Sequence, residues 1–217
     1  EWTGIPINEE FVPASAAKQK IAKRELGFDA DEPLVVLTGG SLGAEHINVA
    51  LRAILPKLLK STSVLLVAGR ERYPEMMDLK DYEKWEDGKL KSNFRMLEFS
   101  SEMYKLFTAA DIVVSRAGAS TMTELSAMAK AVIMVPNYKL PGYHQVKNAE
   151  VYEQANAAVI VEDLKMSEDP ELLYKAIKKL LGDKEKREEL AANLKKFSKD
   201  NAAENLAKTV ISVAKEK

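Results

Sequence analysis

The chain has 217 residues, 46% of them apolar, which is enough to bury a full core in one large domain or one domain with an appendage. Lys and Arg number 32 against 33 Asp and Glu, so the net charge of -1 excludes a general attraction to nucleic acid or an anionic membrane, and any polyanion site must be local. Cysteine is absent and only His46 and His144 are present, which excludes disulfides, thiolate nucleophiles and nearly every Cys/His zinc site and fits a cytosolic chain.

The opening residues Glu1-Trp2-Thr3-Gly4 have neither the basic nor the apolar region of a signal peptide, and no apolar run approaches the roughly 20 residues of a membrane helix. No initiating Met is present, so the chain reads as part of something longer. From there, apolar runs of strand length recur, and helical periodicity follows each one. The runs are Leu34 to Thr38, Val64 to Ala68, Phe94 to Glu98, Ile112 to Ser115, Val132 to Val135 and Ala158 to Val161. Ile47, Ala50, Leu51, Ile54 and Leu58 mark one helix face; Met103, Leu106, Phe107 and Ala110 mark another. Pro56 removes a backbone donor from the first, which predicts a kink or restart near Leu55.

Asp29-Ala30-Asp31 lies before the first strand, on the wrong edge for a metal pair, and reads as a turn. The lysine-rich stretch Tyr82 to Ser92 reads as a surface connection, and Leu172, Leu173, Ala176, Ile177, Leu180 and Leu181 begin a helical tail broken near Gly182-Asp183 and Asp200-Asn201. Buried strands alternating with helices define an α/β class: a Rossmann-like parallel six-stranded sheet, helices on both faces, and the helical C-terminal tail.

Ligands of such a sheet sit beyond the carboxyl ends of its strands, so the loops after Thr38, Ala68, Glu98, Ser115 and Val135 are the ones to inspect. Gly39-Gly40-Ser41-Leu42-Gly43-Ala44 lets backbone approach an anion at a helix start, although a plain tight turn accounts for it equally well; it satisfies neither G-x-G-x-x-G nor the P-loop pattern. Ser115-Arg116-Ala117-Gly118-Ala119-Ser120-Thr121 supplies small residues, hydroxyls and a guanidinium able to cradle a diphosphate. Thr121-Met122-Thr123-Glu124 also matches a capping box, and by spacing alone a structural role for Glu124 is the stronger reading. After the fifth strand, a long loop through Pro136-Asn137-Tyr138 leads to a helix starting at His144-Gln145, with Val146, Ala149 and Tyr152 facing inward. Gln145 both donates and accepts, as a hydroxyl-rich ligand requires; His144 alone is more ordinary as a helix-start residue.

Taken in order, Gly39 to Ala44, Arg116 to Thr121 with Glu124, and Gln145 with Asn148-Ala149 resemble the motifs of the MurG family. Its members are bacterial transferases that add N-acetylglucosamine to the lipid-linked muramyl-peptide precursor of peptidoglycan, as part of cell-wall biogenesis. The resemblance runs from Thr3-Gly4-Ile5-Pro6, similar to the family's interdomain segment, to the helical tail, and it covers the family's C-terminal half. It implies one half of a GT-B glycosyltransferase, with a linker remnant at 1–13 and a nucleotide-sugar domain at 14–217 that includes the tail 167–217. It also implies inverting transfer with UDP-N-acetylglucosamine as donor, held without metal or other cofactor. Ser41, the backbone around Gly40 and Gly43, the Arg116 and Gly118 loop, Ser120 and Thr121 would meet the diphosphate. Glu124 would accept the ribose hydroxyls, backbone at Phe99 and Ser100 would read uracil, and Gln145 and His144 would contact the sugar.

The catalytic base, the lipid acceptor and the membrane surface are implied for the N-terminal half, leaving this chain cytoplasmic and nearly inactive alone, and the whole protein peripheral on the cytoplasmic face of the plasma membrane. No nucleic-acid partner is implied. Leu42 stands where the family usually has Gln, Asn8 where it has Arg, and Lys130-Ala131 where Gly or Lys precedes Pro, a change expected to affect only a turn. Two alternatives stand beside this one: the soluble donor subunit of a two-part N-acetylglucosamine transferase, and a non-catalytic module that binds UDP-sugars or uses the same loops as turns.

Overall fold

The computed structural model describes residues 3–215; Glu1, Trp2, Glu216 and Lys217, the extremes of the expected linker and tail, lie outside them. Segment 3–13 carries no helix or strand, but it is not detached. The Phe11 ring lies 6.4 Å from Phe107 and meets Tyr104 edge-on at 6.2 Å.

Helix α1 (Ala16–Glu25), whose Ser15 side chain accepts from the Lys18 N–H, leads into β1 (Leu34–Thr38), α2 (Glu45–Leu58) and β2 (Ser63–Val67). A 3₁₀ stretch, Tyr73–Tyr82, and a small hairpin of β3 (Trp85–Glu86) and β4 (Lys89–Leu90) precede β5 (Phe94–Leu97). Then follow α3 (Met103–Ala109), β6 (Ile112–Ser115), α4 (Ala119–Ala127), β7 (Val132–Met134), α5 (His144–Gln154) and β8 (Val159–Ile160). The chain closes with α6 (Asp163–Glu168), α7 (Glu171–Gly182), α8 (Lys184–Lys195) and α9 (Ala202–Lys215).

The six expected strands form one parallel sheet in the order β5-β2-β1-β6-β7-β8. β1 and β2 are buried along their whole length, so their alternate side chains feed two cores. Val35, Leu37, Val64 and Leu66 pack with Ile47, Leu51 and Ile54 of α2 and with Leu173 and Ile177 of α7. Leu34, Val36, Leu65 and Val67 pack on the other face with Phe107, Met122, Leu125 and Leu194. Filling both faces makes the sheet rigid, and a rigid sheet fixes the loops at its ends.

Three local expectations are corrected. Pro56 neither kinks nor restarts α2, which runs unbroken from Glu45 to Leu58. The proline lies in the last turn, the one donor it lacks is lost near a helix end, and the helix still closes with the Leu59 N–H on the Leu55 carbonyl. The stretch Tyr82 to Ser92 is more than a connection: Asp87 and Gly88 both take positive φ, 49° and 71°, the conformation that closes a two-residue hairpin. The helical tail begins earlier than its apolar run, at Asp163.

The order of the strands also says where a ligand belongs. From β1 the chain moves outward through β2 to β5, returns to β6 on the other side of β1, and moves outward again through β7 to β8. The loops after β1 and β6 therefore diverge and leave a crevice between them at the carboxyl edge.

Candidate functional site

That crevice is lined by both of the loops singled out by sequence. A cleft of about 510 Å³ is bounded by the glycine loop 39–44, by Arg116, Gly118 and Thr121, and by Asn137, Lys139, Leu140 and Gln145. A second cavity of about 330 Å³ opens beside it, between Asn8, Phe11, Phe99, Ser100, Tyr104 and Glu124. Thr38, Gly40, Ser41 and Thr121 border both, so the two are neighbouring compartments of one site.

Two helices point their amino ends at it. α2 starts after Ala44 and α4 after Gly118, and neither has a side-chain cap. The first backbone bonds, from Asn48 N–H to the Ala44 carbonyl and from Met122 N–H to the Gly118 carbonyl, leave the preceding N–H groups without helical partners. Orphan donors and positive dipole ends on one crevice suit an anion.

The glycine loop is held there by its neighbour. Gly43 and Gly69, both near φ +90°, approach so closely that a Cβ on Gly69 would lie 2.1 Å from the Gly43 nitrogen, and one on Gly43 would lie 2.2 Å from the Ala68 carbonyl oxygen. The Arg70 N–H donates to the Ser41 carbonyl at 3.1 Å, and the Gly40 N–H donates to Thr38 Oγ1 at 3.2 Å. Gly40 has φ +82° with open space where a Cβ would go, so backbone demands this glycine and space lets a ligand approach.

The capping box at Thr121 does not form. With Gly118 as N-cap, Thr121 is the third residue of α4 and Glu124 lies a further turn along, out of reach of the helix start. Glu124 instead borders the smaller cavity, half-buried, with no hydrogen-bond or ion-pair partner among the described residues. Burial pushes its carboxyl above the usual carboxylate range. Opposite stands Phe99, 40% exposed, with the Arg70 guanidinium 3.9 Å from its ring centre.

Of the residues chosen by sequence, Gly40, Ser41, Gly43, Arg116, Gly118, Thr121 and Gln145 border the larger cleft, and Phe99, Ser100 and Glu124 the smaller. Ser120 and His144 border neither. Gln145 uses its carbonyl oxygen to accept from the Asn137 N–H at 3.0 Å, and Asn148 donates to the Ala117 carbonyl at 3.1 Å, tying α5 to the β6–α4 loop. Leu42 is 59% exposed at the cleft, and Asn8 is occupied by its neighbour Glu10, to which its side-chain amide donates at 3.1 Å.

One cluster escaped the sequence reading. Asp163, the first residue of α6 and fully buried, holds Arg116 Nη1 at 2.6 Å and lies 3.0 Å from His46 Nδ1. Arg116 Nη1 also donates to the Val135 carbonyl at 3.1 Å, so the guanidinium braces the crevice as well as bordering it. The signal was an acidic residue two positions past the sixth strand, beyond a loop at the carboxyl edge that did not look glycine-rich.

A doubly covered parallel sheet with a switch-point crevice at its carboxyl edge defines a Rossmann-like α/β domain. The particular family follows from comparison: residues 34–206 match the family described as Glycosyltransferase family 28 C-terminal domain, and the chain belongs to it.

The chain is 34% identical over 215 residues to the UDP-N-acetylglucosamine--N-acetylmuramyl-(pentapeptide) pyrophosphoryl-undecaprenol N-acetylglucosamine transferase of Thermoanaerobacter sp. (strain X514), covering 97% of this chain and 56% of that relative. Among solved structures it resembles MurG of Acinetobacter baumannii, with a TM-score of 0.72 and 24% identity over 96% of this chain and 57% of the other. It also resembles the C-terminal CMP-Kdo binding domain of WaaA from Acinetobacter baumannii, at a TM-score of 0.62 and 14% identity over 84% and 98%. These likenesses bear out the GT-B half as the fold. The chain spans about half the length of the curated relatives it matches.

Proposed function

We propose that this chain is the donor-binding half of an inverting N-acetylglucosamine transferase, taking UDP-N-acetylglucosamine and serving transfer to a lipid-linked muramyl-peptide acceptor. The observation that carries this reading is the pairing of compartments. A larger cleft with two uncapped helix ends fits a diphosphate and its sugar, while the adjoining cavity offers Glu124, without a partner among the described residues, and the Phe99 ring to a nucleoside.

The chemistry follows from that placement. The diphosphate lies over the amino ends of α2 and α4, whose N–H groups and dipoles stabilise the charge that grows on UDP as the glycosidic bond breaks. Glu124 accepts two ribose hydroxyls, and those bonds favour its ionised form and offset the burial that raises its pKa. The Gln145 amide nitrogen, its carbonyl being held by Asn137, donates to a sugar hydroxyl. The acceptor, the base that deprotonates it and the surface that meets the membrane belong to a preceding half joined through residues 1–13, and the assembled protein works on the cytoplasmic face. No metal is required for the donor in this reading. The names of the relatives, at 34% identity over nearly the whole chain, support the choice of sugar and acceptor.

Calorimetric titration with UDP-N-acetylglucosamine, UDP-glucose, UDP and NAD tests it. Uridine-specific binding that falls at least about 30-fold in Glu124→Ala, roughly 2 kcal/mol, with the preference for the N-acetylated sugar lost in Gln145→Ala, is the expected result. Equal binding of UDP and NAD, or none of uridine ligands, would sink it. Uridine binding without donor-sugar preference would favour a sensing module.

A further inference from the structure

Asp163 puts a carboxylate into the wall of an anion site. Its side chain is 1% exposed, yet it borders the larger cleft. One oxygen lies 2.6 Å from Arg116 Nη1, two residues ahead of the α4 N-cap, and the other lies 3.0 Å from His46 Nδ1 on the first turn of α2, so the carboxylate stands between the two helix starts proposed to hold the diphosphate. A charge buried that deeply acts on an incoming anion through protein rather than through water.

That charge has one permanent partner among the described residues, Arg116, and the pair cancels. The rest of the lining cancels as well. Glu45 lies 3.2 Å from Arg72, whose other amino nitrogen is 3.0 Å from Glu75, and the exposed Glu71 and Lys139 add one charge of each sign. The lining is therefore formally neutral, although a nucleotide sugar brings about two negative charges and a free nucleoside diphosphate about three. Arg116 does not depend on the carboxylate's charge to keep its place. Its Nη1 also donates to the Val135 carbonyl at 3.1 Å, and a neutral amide at position 163 can accept the same hydrogen bond that Asp163 accepts. What the carboxylate adds to the arrangement is its charge.

We propose that Asp163 is the counter-ion of the donor site and sets how tightly the diphosphate is held. It cancels Arg116, so the anion is bound by the N–H groups and dipoles of α2 and α4 rather than by net positive charge. Asp163 is a positioning residue in this role: it acts through Arg116, does not touch the ligand, and no bond is made or broken. The effect falls most heavily on the product. When the sugar leaves, the terminal phosphate of UDP becomes a monoester and gains charge, so a bare guanidinium would strengthen the hold on UDP more than the hold on the donor. A paired guanidinium lets UDP go.

This role rests on the donor reading, and calorimetry separates the two. Uridine, UDP-N-acetylglucosamine and UDP, which differ in charge, are titrated into the wild type and Asp163→Asn at about pH 8, where the UDP monoester is fully ionised. Expected is tighter binding in the variant, graded by ligand charge: uridine within about twofold, the donor tighter by at least about fivefold, and UDP by more. The added affinity falls away as salt is raised. A merely structural role gives the reverse, weaker binding that does not follow ligand charge. Because removing one partner of a buried ion pair can prevent folding, Arg116→Gln combined with Asp163→Asn is measured too, since it strands no charge. Whatever affinity that double variant loses, its ratio of UDP to donor affinity stays at the wild-type value. Binding by Asp163→Asn that is no tighter than wild type, a gain shared equally by uridine, or a ratio in the double variant that drops by about fivefold or more overturns the proposal and leaves the donor reading intact. No binding of uridine ligands by the wild type fells both.

Discussion

The two edges of the sheet are built from the same kinds of residue and are finished in opposite ways. At the amino edge nearly every polar group is matched. Asp111, just before β6, takes the Leu34 N–H at 2.8 Å and Lys23 Nζ at 2.7 Å on one oxygen and the Gln19 amide at 3.1 Å on the other. Lys23, 4% exposed, also donates to the Glu32 carbonyl at 2.7 Å, and Lys130 donates to the Ala110 carbonyl at 2.8 Å, where α3 ends. At the carboxyl edge the starts of α2 and α4 stand without side-chain caps, Glu124 has no partner among the described residues and Leu42 faces solvent. The contrast teaches a division of labour: one edge satisfies its polar groups and holds the sheet, and the other leaves them unsatisfied for a ligand.

If the division is real, breaking the amino edge should cost stability and spare donor affinity. Asp111→Ala has the largest expected effect. It strands a buried lysine and a β1 donor together, which costs about 3 kcal/mol, a fall in melting temperature of roughly 6–12 °C for a chain of this size. Thermal unfolding and calorimetry on the folded fraction check it; a large fall in donor affinity at unchanged stability would erase the distinction between the edges.

Lys130 refines the same point through pH. Burial lowers its pKa to about 8, against the pull of Asp111, and Lys23 pushes it further down. Below about pH 8 the group is protonated in both folded and unfolded chains, and the fold bears the whole desolvation cost. Between there and 10.5 the folded chain gives up its proton while the unfolded chain keeps it, so stability rises with pH. Relative to Lys130→Met, the wild type should gain on the order of 3 kcal/mol across that window, read by denaturant titration at several pH values. A constant difference would show that Lys130 is solvated rather than packed beneath α3.

Sequence alone reached the frame for a physical reason: the central strands are nearly continuous apolar chain, and glycines sit where backbones nearly touch. It fell short where contacts join distant segments. Gly69 looks like any turn glycine until the Gly43 nitrogen is seen 2.1 Å from where its Cβ would be. Lys130 drew notice only as the neighbour of the Ala131 departure in a turn, though its side chain crosses to the end of α3. The pairing of Asp163 with His46 spans more than a hundred residues, and no local spacing encodes it. Glu124 failed in the other direction: its spacing from Thr121 imitates a capping box, and only the true helix start at Gly118 frees it for the site.

The smallest effect tests the carboxyl edge at its finest grain. Ser120 and Thr121 are adjacent on the first turn of α4, and both were marked as diphosphate contacts. The structure separates them: Thr121 borders both compartments, whereas Ser120 is exposed and borders neither. What Ser120 offers a diphosphate is its backbone N–H, which alanine retains. Ser120→Ala should therefore lower donor affinity by less than about threefold, under roughly 0.7 kcal/mol, while Thr121→Val, which removes the hydroxyl of a residue bordering both compartments, should cost more. Calorimetry on the pair decides the matter. A tenfold loss in Ser120→Ala would place the diphosphate on the outer side of α4, and the anion cradle would then be one helix end instead of two.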